Sequence, residues 1–297
     1  MTNKIADSIP LGIQNNMSNC YINCALQLLL NLPGLNHQLL EFFQRKTGPG
    51  PLHEKLEKSS DIEWLLFYLN LLDNMTMEQR SQVRRKVLNI NHFYQFLCKI
   101  GEARMNHQGD YHEFFLSLSD HLSKAQKQLG LKPTFDDLIT GELTKNICCQ
   151  RCQNVVKVTD LFSSVPLIDN KVVASLLALQ EQTILNDYSC EKCGNGEKTD
   201  ASITVQIKTL PSLLIFHCLC KTRTPIKFDR GYKIQTEEKK LTYLSYATVH
   251  HCGSQFGGHY YVQLFVDDKI YMINDEHVSL QNTIENWNIV SLLLLRN

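Results

Sequence analysis

The sequence has no charge surplus: Lys+Arg and Asp+Glu both number 30 in 297 residues. That balance argues against a basic nucleic-acid sleeve or a cationic arm lying on a membrane, so any charge recognition must be local. No apolar run approaches the roughly 20 residues that a membrane span needs. Leu292 to Leu295, with Ile289 and Val290 just before, reads as a buried terminal strand. The opening residues Met1 to Ser8 lack an apolar leader core, so no secretory signal is expected. There is no internal repeat and no low-complexity tract. Cysteine, by contrast, is plentiful: 11 residues, an odd count. In a chain without a leader these read as thiols and metal ligands in a reducing cytoplasmic or nuclear compartment, not as disulfides.

The first 130 residues read as helical. Asn19 is placed to cap a helix from about Cys20 to Asn31, stopped by Pro33-Gly34. Ser59-Ser60 precede the apolar-periodic stretch from Asp61 to Leu72, and Met77–Val87 and Asn91–Ile100 suggest two more helices. Asp110 suits the N-cap of an amphipathic helix from Tyr111 to Leu129. Gly48-Pro49-Gly50-Pro51 is a loop by its own chemistry. From about residue 139, short β-branched and aromatic runs alternate with turn residues: Val155–Val158, Ile203–Ile207, Leu213–His217, Leu244–Val249, Tyr260–Phe265, Ile270–Ile273 and Ile289–Leu295. A helical half followed by a mainly antiparallel half predicts an α+β fold, with a site in the cleft where the halves meet.

Cys20 starts the first helix, where the positive end of the helix dipole favours a thiolate. Taken alone, it reads better as a small apolar core residue, like Cys24 one turn later. Asn15 lies five residues upstream, within reach of the space before the Cys20 backbone N–H, as an oxyanion donor needs; Gly12 would let the chain turn sharply there. Far downstream, Gly257-Gly258-His259-Tyr260 opens a strand, and the glycines permit close approach of a ligand and unusual backbone angles. A hairpin turning across Val266 to Lys269 returns Asn274 and Asp275 beside His259. Either could accept the imidazole Nδ1–H and aim Nε2 at the thiol. Singly, His259 is an ordinary strand-end histidine and Asn274-Asp275 an ordinary turn; together they are the parts of a Cys-His-Asn/Asp nucleophilic site.

Cys149-Gln-Arg-Cys152 and Cys190-Glu-Lys-Cys193 are two C-x-x-C knuckles. Four thiolates make the tetrahedral sulfur set that zinc prefers, provided the two pairs sit at hairpin tips that come together. Such a zinc is structural, because four cysteines leave no open position. Cys148 leaves the register of the first pair ambiguous. Cys218 and Cys220 alternate on a strand and read as packing; Cys98 and Cys252 have no readable role.

Taken together, these segments resemble the ubiquitin-specific protease family of cysteine deubiquitinases. The segment Gly12 to Leu28 is similar to its cysteine box, with Asn15, Cys20, Tyr21, Asn23, Leu26 and Gln27 in place. Gln108-Gly-Asp110-Tyr-His112-Glu113-Phe114 looks like its Gln-Gln-Asp-Ala-His-Glu-Phe box. Gly141-Glu-Leu143 with the two knuckles matches its fingers, and Leu210-Pro211 its palm. Tyr243, His251-Cys-Gly253, Gly257-Gly258-His259-Tyr260 and Asn274-Asp275 match its histidine box.

The resemblance implies one papain-like catalytic domain over residues 1–297: a helical thumb (1–135), fingers and first palm strands (136–215), and a palm with the histidine box (216–297). It implies a monomer that cleaves after the C-terminal glycine of ubiquitin, with no cofactor in catalysis. Cys20 would be the nucleophile, His259 the base, Asn274 or Asp275 the third member and Asn15 the oxyanion donor. Gln108, Asp110, Gly257, Gly258 and Tyr260 would hold the incoming tail. Met17, Ser18 and Asn19 depart from the family's Gly-Asn-Thr, Gly109 from its second Gln, Cys218-Leu-Cys220-Lys221 from Leu-Lys-Arg-Phe, and Ile270 and Ile273 from aromatics. None removes a reacting atom. A protease for another ubiquitin-like modifier, a non-hydrolytic ubiquitin-binding relative and a zinc-ribbon interaction or nucleic-acid module are the rival readings.

Overall fold

The computed structural model describes residues 9–15, 18–32, 35–36, 39, 59–80, 87–168, 171–194, 198–218, 225–254, 257–266 and 268–297. Its helices are α1 (Cys20–Leu30), α2 (Ser60–Arg80), α3 (Asn91–Ile100), α4 (Tyr111–Gln128), α5 (Thr134–Ile139) and α6 (Val172–Ala178). Its strands are β1 (Gly141–Cys149), β2 (Val155–Phe162), β3 (Val165–Pro166), β4 (Thr183–Ser189), β5 (Lys198–Thr209), β6 (Leu213–His217), β7 (Gly231–Gln235), β8 (Lys240–Ser254), β9 (Gly257–Val266), β10 (Lys269–Asn274), β11 (His277–Gln281) and β12 (Ile289–Arg296). The fold is α+β with antiparallel sheets. Two compact units divide it, residues 1–136 with 247–288, and residues 137–246 with 289–297.

The first unit is built round α1. Every residue of this helix is buried, as its nearly continuous apolar sequence requires of a core helix. Its polar exceptions are ordered: Asn19, Asn23 and Gln27 recur every fourth position and so form one stripe. The stripe hydrogen-bonds the extended segment that leads into the helix. Asn19 Nδ2 donates to Gln14 O at 3.1 Å, Asn23 Nδ2 to Ile13 O at 3.3 Å and Gln27 Nε2 to Leu11 O at 2.6 Å. Such buried amides are costly unless paired, and pairing them fixes the approach to Cys20. Asn19 therefore serves as a side-chain clamp. It occupies the N-cap position of α1, but its side chain makes no cap hydrogen bond.

α4 packs against α1 and α2 through aromatic edges. Tyr21 and Phe114 meet edge to face at 5.6 Å, and Trp64 lies 5.8 Å from Phe114. Asp110 does cap α4: its Oδ1 accepts from His112 N at 2.7 Å and Glu113 N at 3.1 Å. Residues 77–80 continue α2 without a break, and Val87 lies outside any helix, so no separate helix starts at Met77. Pro33-Gly34, the Gly48–Pro51 loop, residues 81–86, Met17, Cys220 and Lys221 lie outside the described residues. Behind α1, β9 pairs with β10 and with the second half of β8, and β10 pairs with β11.

The second unit holds a four-stranded antiparallel sheet in the order β2-β1-β5-β4. In the same unit β12 pairs with β6, β6 runs parallel to β3, and β7 pairs with the first half of β8. Its core gathers Val165, Leu214, Phe216, Tyr243, Leu292 and Leu294, each worth roughly 1.5–3 kcal/mol on full burial. β4 and β7 carry no apolar run that marks them in the sequence. β4, Thr-Ile-Leu-Asn-Asp-Tyr-Ser, is almost wholly exposed and exists because β5 offers it an edge.

Candidate active site

Cys20 is the first residue of α1, so its backbone N–H is among those a helix leaves without an intrahelical partner. The turn before it passes through Ser18 in the left-handed region (φ 61°). Gly12 enables the approach in a different way from a sharp turn. A Cβ there would meet Glu276 O at 2.2 Å, so glycine lets the segment lie flat against the β10–β11 turn. Ile13 N donates to Asp275 O at 2.9 Å in the same contact.

His259 comes from β9. With Ile273 opposite Val262, His259 and Asn274 share one face of the sheet, a diagonal step apart. The imidazole Nε2 lies 2.6 Å from Asn274 Oδ1 and 3.7 Å from Asp275 Oδ2. This reverses the ring orientation expected from the sequence. Nε2 faces the amide, which leaves Nδ1 as the ring nitrogen available to the thiol. Asp275 has other partners: its Oδ2 accepts from Asn15 Nδ2 at 2.7 Å and its Oδ1 from Asn23 Nδ2 at 2.7 Å. It adopts the left-handed region (φ 49°), which aspartate tolerates better than most residues. Asn15 also accepts from Asn19 N at 3.3 Å.

The thiol and imidazole perturb one another. Burial works to raise the Cys20 pKa, but hydrogen bonds from His259, the Tyr260 backbone N–H and Gln108 outweigh it, and the thiol sits below its ordinary value. His259 is pushed up to about 9, chiefly by its hydrogen bond to Cys20, with burial opposing and Asn274 and Asp275 adding to the rise. The two shifts run in opposite directions, toward a thiolate and toward an imidazolium. Cys24, wholly buried one turn along, is pushed the other way.

A cleft of about 450 Å³ opens onto the sulfur, lined by Asn15, Ser18, Cys20, Gln108, Gly257, Gly258 and His259 among others. Gln108 Nε2 lies 3.1 Å from Cys20 Sγ and 2.8 Å from Gly258 O. Asp110 keeps a second oxygen for other work: Oδ2 is 3.4 Å from the Tyr260 hydroxyl while Oδ1 caps the helix. Neither Gly257 nor Gly258 has a positive φ; the left-handed glycine nearby is Gly253, at φ 129°. Gly258 is needed for space, since a Cβ would meet Cys252 O at 2.4 Å and His251 Nε2 at 2.5 Å, whereas a Cβ on Gly257 meets nothing within 4 Å among the described residues. Gly109 is likewise a fit to its neighbour: a Cβ there would meet the Tyr21 ring at 2.7 Å.

In the second unit, the β1–β2 and β4–β5 turns bring Cys149, Cys152, Cys190 and Cys193 together, all sulfurs within 4.8 Å of one another. Cys149 and Cys193 are 3.8 Å apart, Cys152 and Cys190 3.6 Å. Tetrahedral zinc with Zn–S near 2.3 Å requires about 3.8 Å between sulfurs, so the set fits the ion. Backbone N–H groups of Cys152 and Arg151 help hold the Cys149 thiol down to about 6. Cys148 points away, toward Gln153 Oε1 at 3.6 Å, which fixes the register of the first pair as Cys149/Cys152.

Sequence placed Asn19 as a helix cap and gave neither the shared clamp of Asn19, Asn23 and Gln27 nor the link between Asp275 and Asn15. The four-residue spacing of the stripe was visible; the link joins positions 260 residues apart and needed coordinates.

Residues 11–291 match the family model described as ubiquitin carboxyl-terminal hydrolase. Similar curated proteins include ubiquitin carboxyl-terminal hydrolase 26 of Arabidopsis thaliana, 23% identical over 92% of this chain and 26% of that protein. Ubiquitin carboxyl-terminal hydrolase 10 of Saccharomyces cerevisiae is 24% identical over 55% of this chain and 21% of that protein. The chain thus spans about a quarter of the length of these relatives. Among solved structures, the SAGA Ubp8/Sgf11/Sus1/Sgf73 DUB module bound to ubiquitin aldehyde matches with a TM-score of 0.76 at 18% identity, over 100% of this chain and 72% of that one. The related module bound to monoubiquitin gives a TM-score of 0.76 at 18% identity, over 97% of this chain and 69% of that one.

Proposed function

The chain belongs to the ubiquitin carboxyl-terminal hydrolase family, and on that footing we propose that it is a cysteine deubiquitinase that hydrolyses the bond after the C-terminal glycine of ubiquitin. The observation that carries the reading is the chain of contacts from Cys20 through His259 to Asn274. The thiolate of Cys20 adds to the glycine carbonyl, and the π pair moves onto oxygen. On collapse the C–N bond breaks, and His259 gives its proton to the departing lysine or α-amine. Neutral His259 then takes a proton from water, which attacks the thioester carbon, and returns it to the sulfur as Cys20 leaves.

Asn274 is neutral, so it orients His259 more than it stabilises the imidazolium charge. Asp275 supports the site through Asn15 and Asn23, and its carboxylate is close enough to raise the imidazole pKa as well. Asn15 retains one amide hydrogen beyond that given to Asp275, and with the Cys20 N–H it would form an oxyanion hole. The substrate tail lies along Gly257, open on its Cβ side, past Tyr260. Asp110 Oδ2 offers a carboxylate to a basic tail residue. In this reading residues 1–135 are a thumb, 136–215 fingers stapled by one structural zinc on Cys149, Cys152, Cys190 and Cys193, and 216–297 a palm. Release of a fluorogenic group from the ubiquitin C-terminus, abolished by alkylating the thiol, tests the proposal. Parallel substrates made with other ubiquitin-like modifiers assign the preferred one, and no release from any of them refutes it.

A further inference from the structure

Gln108 is placed where a tail-binding residue alone has no reason to be. Its side-chain nitrogen has two hydrogens and two acceptors within range, Cys20 Sγ at 3.1 Å and Gly258 O at 2.8 Å. The carbonyl fixes which end of the amide faces inward, and the other hydrogen is thereby aimed at the sulfur. The sulfur also receives the Tyr260 N–H and His259, and Gln108 contributes to holding the thiol below its ordinary pKa.

Charge leaves this sulfur during the reaction. When the thiolate adds to a carbonyl carbon, the S–C bond takes up the sulfur lone pair and the negative charge appears on an oxygen two bonds away. An oxyanion-hole donor sits about 2.7–3.1 Å from the developing charge. Gln108 Nε2 already stands at that range from the atom where the charge begins. Rotation about its Gly258 anchor would carry the freed N–H from the sulfur toward an oxygen two bonds away. Asn15 is in the same position, with one amide hydrogen given to Asp275 Oδ2 at 2.7 Å and one left over, so the two amides would share the oxyanion.

We propose that Gln108 is a catalytic residue whose side-chain amide follows the negative charge from Cys20 Sγ to the oxyanion. The inference rests on the deubiquitinase reading and adds a role to that site.

Gln108→Ala and Gln108→Met remove the donor, the second at nearly constant length. Both are to be compared with the unaltered chain in turnover of fluorogenic ubiquitin and in binding of ubiquitin aldehyde, whose adduct with the thiol is tetrahedral. The expected result is a fall in kcat of about a hundredfold with KM within a few-fold. Affinity for ubiquitin aldehyde drops comparably, while affinity for unmodified ubiquitin stays unchanged. A raised KM at full kcat makes Gln108 a tail holder only, and faster turnover makes it a cover over the thiol; either overturns the proposal. If the unaltered chain binds the aldehyde no more tightly than ubiquitin itself, the deubiquitinase reading falls, and this inference with it.

Discussion

Nε2 of His259 stands 2.6 Å from Oδ1 of Asn274, across neighbouring strands of one hairpin. The amide oxygen can only accept, so it selects the tautomer with a proton on Nε2, and in the proposed mechanism Nδ1 is the nitrogen that exchanges a proton with Cys20. Asn274→Ala is expected to lower kcat about a hundredfold, because the ring loses its orientation while thiol and tail site remain. Asn274→Asp keeps an acceptor and is expected to retain most activity. Steady-state kinetics of both variants check this.

The pH dependence of alkylation at Cys20 follows from the opposed shifts of the pair. The thiolate is the reactive form, and the Cys20 pKa is lowered, so alkylation begins below the range of a free thiol. His259 is raised to about 9. The ion pair therefore occupies the window between the lowered thiol pKa and about pH 9, and above it the imidazolium loses its proton. Iodoacetamide rates read by mass spectrometry at Cys20 are expected to rise in two steps. In His259→Ala the leading lowering cause is gone, burial dominates, and one step remains, displaced to higher pH.

Adjacent glycines are expected to differ sharply in tolerance. Gly258→Ala drives a Cβ into Cys252 O and the His251 ring, and backbone cannot yield cheaply. It is expected to cost about 2 kcal/mol or more, roughly 4 °C or more in Tm, and to misplace His259. Gly257→Ala meets no atom within 4 Å among the described residues. Its Tm is expected to hold, with any effect confined to KM. Thermal unfolding of the two variants side by side separates them.

Much of this site was legible because each part carries its own local signal. Cys20 marks the start of an apolar helix, Asp110 precedes an amphipathic one, and the two C-x-x-C knuckles announce a sulfur cluster. Helix α4 was visible because its apolar period matches the face it buries, and strands β6 and β12 because each is a short continuous apolar run buried along nearly its whole length. What sequence could not give depends on distant partners. The imidazole orientation is set by strand register, the need for Gly12 by Glu276, and the work of Asp275 by Asn15 and Asn23. β4 has an exposed, mixed sequence and becomes a strand only beside β5.

The four-cysteine set makes a claim of its own. One zinc per chain is expected by elemental analysis, resistant to mild chelation. Cys190→Ser leaves three thiolates round the ion, and is expected to lose the metal and lower the first unfolding transition. An ion content unchanged by Cys190→Ser excludes this cluster as the ligand set.

The most direct test of the central claim is covalent capture by ubiquitin carrying a C-terminal electrophile, followed by mass-spectrometric mapping of the adduct. A single ubiquitin on Cys20 is expected, lost in Cys20→Ala and slowed at neutral pH in His259→Ala. Ubiquitin attached at any other cysteine, or capture that persists in Cys20→Ala, contradicts the account.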